Sequence, residues 1–173
     1  MCVKSLLGQA LFIFSEIKSM RLVTIKAEKL KKYTVDSEMM HNARRPSVLI
    51  AKLKYKGRNY TFAVPIRSNI APSAPKGSYF PLPTRFTTKD NHRHGIHYVK
   101  MFPVTKDMVE VCHTENNMFA SIIKATIDKS EKRIIKECQE YLNNYEDGRV
   151  LKYATNIDKL LEVLQKNSEE KRS

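Results

Sequence analysis

Three histidines lie within six residues of one another, and their side chains are well suited to proton transfer. These are His92, His94 and His97; a fourth, His113, follows Cys112 further along the chain. Histidine titrates near neutral pH, so such side chains can transfer protons or contact a phosphate. A zinc site would need four ligands, and the spacing matches no recognised zinc motif. The structural alternative is an exposed polar loop.

Arg67 and Ser68 form a second group, at the end of an apolar run. A guanidinium is a permanent cation with planar donors that suit phosphate, and a serine hydroxyl can donate to a phosphate oxygen. The structural alternatives are a solvated strand edge for Arg67 and a turn-capping hydroxyl for Ser68. The sequence has no Gly-rich phosphate loop, H-E-x-x-H motif or paired-carboxylate signature. Its reactive inventory is therefore Ser, Thr, His, Lys and Arg.

A third group combines cations, hydroxyls and an aromatic ring in the segment Arg85-Phe86-Thr87-Thr88-Lys89. Such a mixture suits a single-stranded base stacked beside a phosphate. The alternative is that Phe86 belongs to the core.

The net charge favours a polyanionic partner. Lys and Arg total 31 against 18 Asp and Glu, a formal balance of +13. Nucleic acid is the usual partner of such a chain, an anionic membrane the next, and a solvated Lys-rich surface the alternative. A DNA-binding regulator is a weaker hypothesis, because the basic residues concentrate on predicted strands and loops and not on a recognition helix.

The cysteines indicate the compartment. Cys2, Cys112 and Cys138 are an odd set without close spacing, which disfavours a disulfide framework and a C-x-x-C zinc site. Reduced thiols in the cytoplasm are the prediction, and Cys138 is expected in the core because it falls on the apolar face of a predicted helix.

The first 19 residues are predicted to be an extension that precedes a single domain spanning residues 20–173. Their apolar run, residues 6–14, is far shorter than the roughly 20 residues of a membrane helix. It resembles the core of a signal peptide, but no small-x-small cleavage site follows. Translation from Met20 is the interpretation favoured here.

The chemical groups must be positioned by a hairpin, which is the clearest element of the pattern. Its first strand should bury one alternating face, made of Leu49, Ala51, Leu53 and Tyr55. Its second strand should bury Tyr60, Phe62, Val64 and Ile66. The turn is expected at Gly57 with Arg58 and Asn59, and Pro65 should mark a strand edge or exit. Lys52, Lys54 and Lys56 would form a wet basic face that flanks Ser68.

The remaining elements are predicted as follows. Residues 22–25 should form a strand and residues 27–33 one or two helical turns, with a polar loop over 36–45. Prolines exclude helix over 69–88, which reads as a long ordered loop. Further strands are expected over 98–104 and 108–111. A long helix should run from Met118, capped by Asn116 or Asn117, to Asp147-Gly148, and a second from Ile157, capped by Asn156.

The order of several short motifs resembles the N-terminal half of the ToxN/AbiQ family, the toxins of type III toxin–antitoxin systems. The pattern is Arg44-Arg45-Pro46, a hydrophobic strand over 48–53, Gly57, Tyr60, Pro65-Ile66 and Ser68. Residues 22–33, Gly95-Ile96, Lys100-Met101-Phe102-Pro103-Val104 and the helix from Met118 extend the likeness. It covers about residues 20 to 145.

The resemblance implies a fold and an activity. The expected fold is a single compact α+β domain with a strongly curved antiparallel sheet, similar to the MazF/Kid toxins, and C-terminal helices. Members of the family cut RNA without metal or cofactor: the ribose 2′-OH attacks the adjacent phosphate and leaves a 2′,3′-cyclic phosphate. A repeated RNA pseudoknot, the antitoxin, occupies the same basic groove, often within a closed ring of protein and RNA.

The resemblance also assigns residues. Ser68 matches the active-site serine, but Arg67 stands where the family has Ser or Thr, and Ile70 where it has Lys. The general base is therefore open among Lys76, His97 and Lys29, with Arg67 on the phosphate. The expected RNA contacts are Lys29, Lys31, Lys32, Arg44, Arg45, Lys54, Arg58, Arg85, Thr87, Lys89, His92 and Lys100. The alternative function is a non-catalytic RNA-binding module, because the family's lysine is missing at position 70.

Overall fold

The chain forms a seven-stranded antiparallel sheet followed by helices. The computed structural model describes residues 20–34, 36–38 and 44–170. The strands are β1 (Met20–Ile25), β2 (Ser47–Tyr55), β3 (Arg58–Ile70), β4 (Tyr79–Pro81), β5 (Arg93–His97), β6 (Phe102–Pro103) and β7 (Val109–Val111). The α-helices are α1 (Ala27–Leu30), α2 (Met118–Lys129), α3 (Glu131–Glu146) and α4 (Ile157–Glu170), and short 3₁₀ turns cover Lys31–Tyr33, Tyr98–Lys100 and Lys106–Met108. The predicted α+β class with C-terminal helices is confirmed, whereas the extension over 1–19 lies outside the described residues.

The sheet runs in the order β4-β5-β3-β2-β1-β7, and β6 pairs with part of β3. Its centre is the predicted hairpin of β2 and β3. The last pair before the turn is Tyr55 with Arg58, so the turn consists of Lys56 at φ 47° and Gly57 at φ 76°. Two positive φ values in a two-residue turn match the twist of a hairpin, and glycine adopts such values without strain. Arg58 and Asn59, predicted in the turn, belong to β3.

A bulge in β2 changes which side chains are buried. The register shifts between Ile50 and Leu53, where Lys52 has φ 63°. The side chains before the bulge therefore exchange faces relative to those after it. Leu49 packs into a second buried cluster, and the main core takes Val48, Ile50, Leu53 and Tyr55. The prediction that Leu49, Ala51, Leu53 and Tyr55 share one face is wrong for this reason.

Strand β3 continues through Pro65, where the sequence predicted an edge or exit. Up to Pro65 the strand pairs with β2, and from Ile66 it pairs with β5. Pro65 is opposite Ser47, the first residue of β2, so the missing N–H falls at the end of a ladder. The last five residues of β3 thus project beyond β2 and carry Arg67 and Ser68.

The segment around the histidines is a strand and not a loop. Gly95, in the middle of β5, pairs with Arg67 on one side and Pro81 on the other. A Cβ at Gly95 would clash with the backbone carbonyl oxygen of Phe80, so only glycine fits this close strand approach. The predicted loop over 69–88 therefore contains β4 and the end of β3. The predicted strand over 98–104 begins instead with a 3₁₀ turn and retains only β6.

Helices cover the main core of the sheet. The predicted long helix is broken at Ser130 into α2 and α3. Asn117 caps α2 through a bond from Ala120 N, and Asn156 accepts from Lys159 N at the start of α4. Cys138 is fully buried, as predicted. Within the described ranges, no helix combines the length and the apolar character that a membrane crossing requires.

Candidate functional site

Ser68 lines a pocket of about 240 Å³ at the projecting end of β3. The other walls come from the segment before β2, the loop between β4 and β5, and β5 itself. Its lining residues are Arg44, Arg45, Pro46, Ile66, Arg85 and His94. The pocket therefore brings together, around the Ser68 hydroxyl, four regions that are separate in the sequence.

The electrostatics of the Ser68 pocket favour an anion. Three arginines and no carboxylate occur among the described residues that line it. Arg45 Nη1 donates to Ile66 O at 3.5 Å, while its Nε is buried without a partner in the described part of the chain. Burial, and then the nearby charge of Arg67, lower the pKa of Arg45. A buried donor in a lining of arginines without a carboxylate is what a phosphate would stabilise.

His94 also lines this pocket; the sequence grouped it with His92 and His97 but did not assign it to the site. It is buried, and its Nδ1 is hydrogen-bonded to Pro83 O. A carbonyl oxygen only accepts, so Nδ1 carries the proton and Nε2 keeps its lone pair. Burial lowers the pKa of His94, the bond to Pro83 acts in the opposite direction, and Arg85 lowers the pKa further. The ring packs beside Phe119 at 5.9 Å between centroids.

Arg67 faces the opposite side of β3, because successive residues of a strand alternate. It lines a cavity of about 570 Å³ with His97, Asn69, Lys100 and Lys152. Arg67 Nη1 lies 3.2 Å from His97 Nδ1. A guanidinium only donates, so Nδ1 accepts and the neutral ring of His97 carries its proton on Nε2. Burial, Arg67 and Lys100 lower the pKa of His97 to about 3. His97 thus offers a donor, which does not fit the predicted role of general base.

Lys100 is also engaged within the protein. Its ammonium donates to Glu38 O at 2.9 Å, Glu38 Oε2 at 2.7 Å and Tyr153 O at 2.7 Å. An ammonium has three protons, and these three acceptors use them all. Lys100, expected to contact RNA, instead ties two surface segments to the rim of the Arg67 cavity.

The loop between β4 and β5 presents the predicted mixture of cations and an aromatic ring to solvent. Phe86 is 97% exposed, so its alternative assignment to the core is wrong. Arg85 lies over the Phe119 ring at 5.5 Å, and Lys89 N donates to Asn69 Oδ1 at 2.8 Å. Thr87 is exposed. The loop is thus attached to β3 and α2 next to the Ser68 pocket.

His92, at the end of the same loop, has its Nδ1 3.0 Å from Asp90 O. It is partly exposed and remains a predicted RNA contact.

Two other candidate bases lie outside the Ser68 pocket. Lys29 forms an ion pair with Asp107 at 3.2 Å next to the β1–β7 edge. Lys76 lines a separate cavity of about 280 Å³ together with Glu137 and Arg149. Neither is among the described residues that surround Ser68.

The remaining predicted RNA contacts are distributed over the surface. Lys31 is exposed and Lys32 Nζ is 3.4 Å from Asn167 Oδ1, on the α1 side of the sheet. Arg58 begins β3, ten residues before Ser68, a separation of about 33 Å along a strand. Lys54 pairs with Asn59 at that same end. The expectation that the hairpin lysines flank Ser68 is wrong, because the turn and the pocket occupy opposite ends of β3.

Among the described residues, no group of three or more His, Cys, Asp or Glu side chains is arranged to hold a metal ion.

Three solved structures share this fold at low sequence identity. One comes from work on bacterial type III toxin–antitoxin systems, in which a non-coding RNA pseudoknot selectively inhibits the toxin. Its TM-score is 0.67 and its sequence identity 15%, and the match covers 88% of this chain and 99% of that one. Another is from a bacterial antiviral system regulated by a processed non-coding RNA. Its TM-score is 0.61 and its sequence identity 15%, and the match covers 82% of this chain and 95% of that one. The third is AbiQ, a lactococcal anti-phage endoribonuclease that belongs to the type III toxin–antitoxin system. Its TM-score is 0.60 and its sequence identity 13%, and the match covers 87% of this chain and 99% of that one.

No protein-family model and no curated protein matches the sequence. The likeness therefore rests on the backbone, and it extends over nearly the full length of each of the three structures. The resemblance read from the ordered motifs around Ser68 is confirmed at the level of architecture: the chain has the fold of the ToxN/AbiQ type III toxins.

Proposed function

We propose that this protein is an endoribonuclease toxin of a type III toxin–antitoxin system, acting in the cytoplasm against phage. The observation that carries the proposal is the Ser68 pocket, whose described lining combines one hydroxyl, three arginines and a buried histidine with no carboxylate. The fold supports it, since AbiQ is an anti-phage endoribonuclease with the same architecture.

The pocket residues suit metal-independent cleavage by the 2′-OH of the substrate. The Ser68 hydroxyl donates to a non-bridging phosphate oxygen, and Arg44, Arg45 and Arg85 stabilise the charge that develops as the 2′-oxygen attacks phosphorus. Donors of this kind in a partly buried site each contribute about 2.7–4 kcal/mol to transition-state stabilisation. The products are a 2′,3′-cyclic phosphate and a 5′-hydroxyl.

The surroundings of the pocket suit a single RNA strand. Phe86 offers an exposed face for base stacking, and Thr87, Lys89 and His92 lie on the same loop. On the other face of β3, the paired donors of Arg67 and His97 line a cavity large enough for the neighbouring nucleotide. The RNA antitoxin, a repeated pseudoknot, occupies this same basic surface, and alternation of protein and RNA closes a ring.

The test compares wild type with Ser68→Ala during induced expression in bacteria. Wild type is expected to arrest growth and to produce RNA ends with 2′,3′-cyclic phosphate, at a rate that a chelator of divalent metals leaves unchanged. Ser68→Ala should lower the cleavage rate by about 10²-fold or more. Ser168→Ala, a change at an exposed serine of α4 outside the Ser68 pocket and the Arg67 cavity, is the matched control. Equal toxicity of Ser68→Ala and wild type would contradict the site.

A non-catalytic RNA-binding module is the second candidate function. Ile70, at the family's lysine position, is 1% exposed and belongs to the core, so no cation replaces that lysine there. This function predicts salt-sensitive RNA binding without cleavage on long incubation. Cyclic-phosphate ends would exclude it, and a short tandem repeat in the DNA just upstream of the gene would favour the type III toxin.

A further inference from the structure

We infer that His94 is the general base of this protein, a catalytic residue that takes the proton of the 2′-hydroxyl through Nε2. The inference rests on the proposed function and deepens it by naming the residue that activates the nucleophile. It replaces the bases expected from the sequence, Lys29, Lys76 and His97.

His94 is positioned beside Ser68. His94 lines the same pocket as Ser68 and the three arginines. Ile66 pairs with Ile96 and Arg67 with Gly95, and the register shifts beyond Arg67. Ile66 and Ser68 both line the pocket, whereas Arg67 lines the cavity on the other side of β3. Ser68 therefore lies on the same face of the sheet as His94 of β5. An oxygen bonded to a phosphate in the pocket is thus within the reach of both side chains.

The tautomer of His94 leaves a basic nitrogen for a ligand. Nδ1 donates to the Pro83 carbonyl, so the nitrogen left for a ligand in the pocket is Nε2, with its lone pair. The backbone of the β4–β5 loop thereby fixes the ring in the form that accepts a proton. His97 has the opposite arrangement, because Arg67 uses the lone pair of its Nδ1. Of the two buried histidines of β5, only His94 offers a basic nitrogen.

The surroundings of the His94 ring are positively charged. Arg85 faces His94 from the β4–β5 loop, Arg44 and Arg45 face it from the segment before β2, and α2 contributes the uncharged ring of Phe119. Burial is the main cause of the lowered pKa of His94, and Arg85 lowers it further, so the neutral ring is favoured in the free protein. A bound phosphate offsets the cations, so the proton can be accepted when substrate is present.

The cleavage step transfers one proton to His94 and exchanges one P–O bond for another. Nε2 takes the proton of the 2′-hydroxyl while the O2′–P bond forms. The P–O5′ bond breaks, its electron pair leaves with O5′, and O5′ takes a proton from water. The imidazolium then returns its proton to solvent, and Ser68 stays a hydrogen-bond donor throughout.

The experiment measures initial rates of cyclic-phosphate formation from total bacterial RNA between pH 5 and pH 9, for wild type, His94→Gln, Ser68→Ala and His113→Gln. His113→Gln is the matched control, at an exposed histidine outside the Ser68 pocket and the β4–β5 loop. Binding is measured in parallel with a random-sequence 2′-O-methyl RNA pool, which lacks the nucleophile. In wild type, the logarithm of the rate should rise with slope one at acidic pH and become flat before neutrality.

His94→Gln should lose about 10²-fold or more in rate together with the acid limb, and should bind the 2′-O-methyl pool within about twofold of wild type. Ser68→Ala should be slow yet keep the acid limb, and His113→Gln should match wild type. A His94→Gln rate within about threefold of wild type, or an unchanged acid limb in that variant, would overturn the inference. The wild-type profile is a test that needs no variant at His94: cleavage without any acid limb also overturns it. A wild type that cuts no RNA at any pH refutes the proposed function instead.

Discussion

At the residue scale, the site depends on the alternation of neighbouring side chains along β3. Arg67 and Ser68 are consecutive, yet they line two different cavities on opposite faces of the strand. The sequence singled out both residues but treated them as one constellation. The alternation gives each a partner histidine from β5, His97 for Arg67 and His94 for Ser68.

The buried His97 should make the stability of the protein depend on pH. Its folded pKa is about 3, below the value of about 6.5 for an unfolded chain. Below pH 6.5 the unfolded chain binds a proton that the folded protein excludes. The contribution of His97 to stability is therefore fully present above pH 6.5 and is lost as the pH falls towards 3, by up to about 1.4 kcal/mol per pH unit.

The measurement is urea unfolding of wild type and His97→Gln at pH 7.5, 6.0 and 4.5. A glutamine can still accept a bond from Arg67 but does not titrate, so the advantage of wild type over the variant should shrink as the pH falls. His92→Gln, a change at a partly exposed histidine, should run parallel to wild type. If His97→Gln also runs parallel, the buried neutral state assigned to His97 is wrong.

At the scale of elements, the sequence predicted the strands and helix ends whose signals lie in neighbouring residues. The core face of β3 with Phe62, Val64 and Ile66, the caps at Asn117 and Asn156, and the end of α3 at Gly148 are read from neighbouring residues, and they are confirmed. Burial itself does not alternate along β3, because Ala63 and Pro65 on the other face are buried too. The bulge at Lys52 and strand β5 were missed, since both depend on pairing with distant strands.

The candidate site could be predicted only in part for the same reason. Ser68, Arg44 and Arg45 belong to one ordered motif, so the sequence indicated them together. The role of His94 depends on a carbonyl that lies eleven residues away in sequence, on Pro83, and no spacing rule reveals such a bond. The missed strand β5 also left its histidines in an apparent loop.

Gly95 should be essential for the pairing that carries both histidines. Gly95→Ala would place a Cβ against the Phe80 carbonyl, and backbone moves less readily than a flexible side chain. We expect the free energy of unfolding to fall by about 1–3 kcal/mol, measured by urea unfolding at pH 7.5. Arg93→Ala, an exposed residue of the same strand, should change it by less than about 0.5 kcal/mol. An alanine variant as stable as wild type would contradict the close β4–β5 approach.

At the scale of the whole molecule, the balance of +13 is not equally available to a ligand. At the hairpin turn, Lys56 forms an ion pair with Asp158 at 2.7 Å and its backbone N bonds Glu146. At the other end of β3, the described lining of the Ser68 pocket has arginines and no carboxylate. Composition alone gives both ends the same weight, whereas the structure pairs a lysine with a carboxylate at the hairpin turn and lines the pocket with arginines.

This asymmetry predicts different salt dependences for two variants of equal charge. Arg44→Gln with Arg85→Gln removes two positive charges from the pocket, and Lys54→Gln with Arg58→Gln removes two from the hairpin end, about 33 Å away along the strand. For single-stranded RNA, each lost phosphate contact lowers the slope of log Kobs against log salt by about 0.7. The pocket variant should therefore lose about 1.4 from the slope measured with a 2′-O-methyl RNA pool, and the hairpin variant should keep the wild-type slope. Equal losses in the two variants would mean that RNA follows the whole length of β3, because only a strand that contacts both ends would release counterions at both.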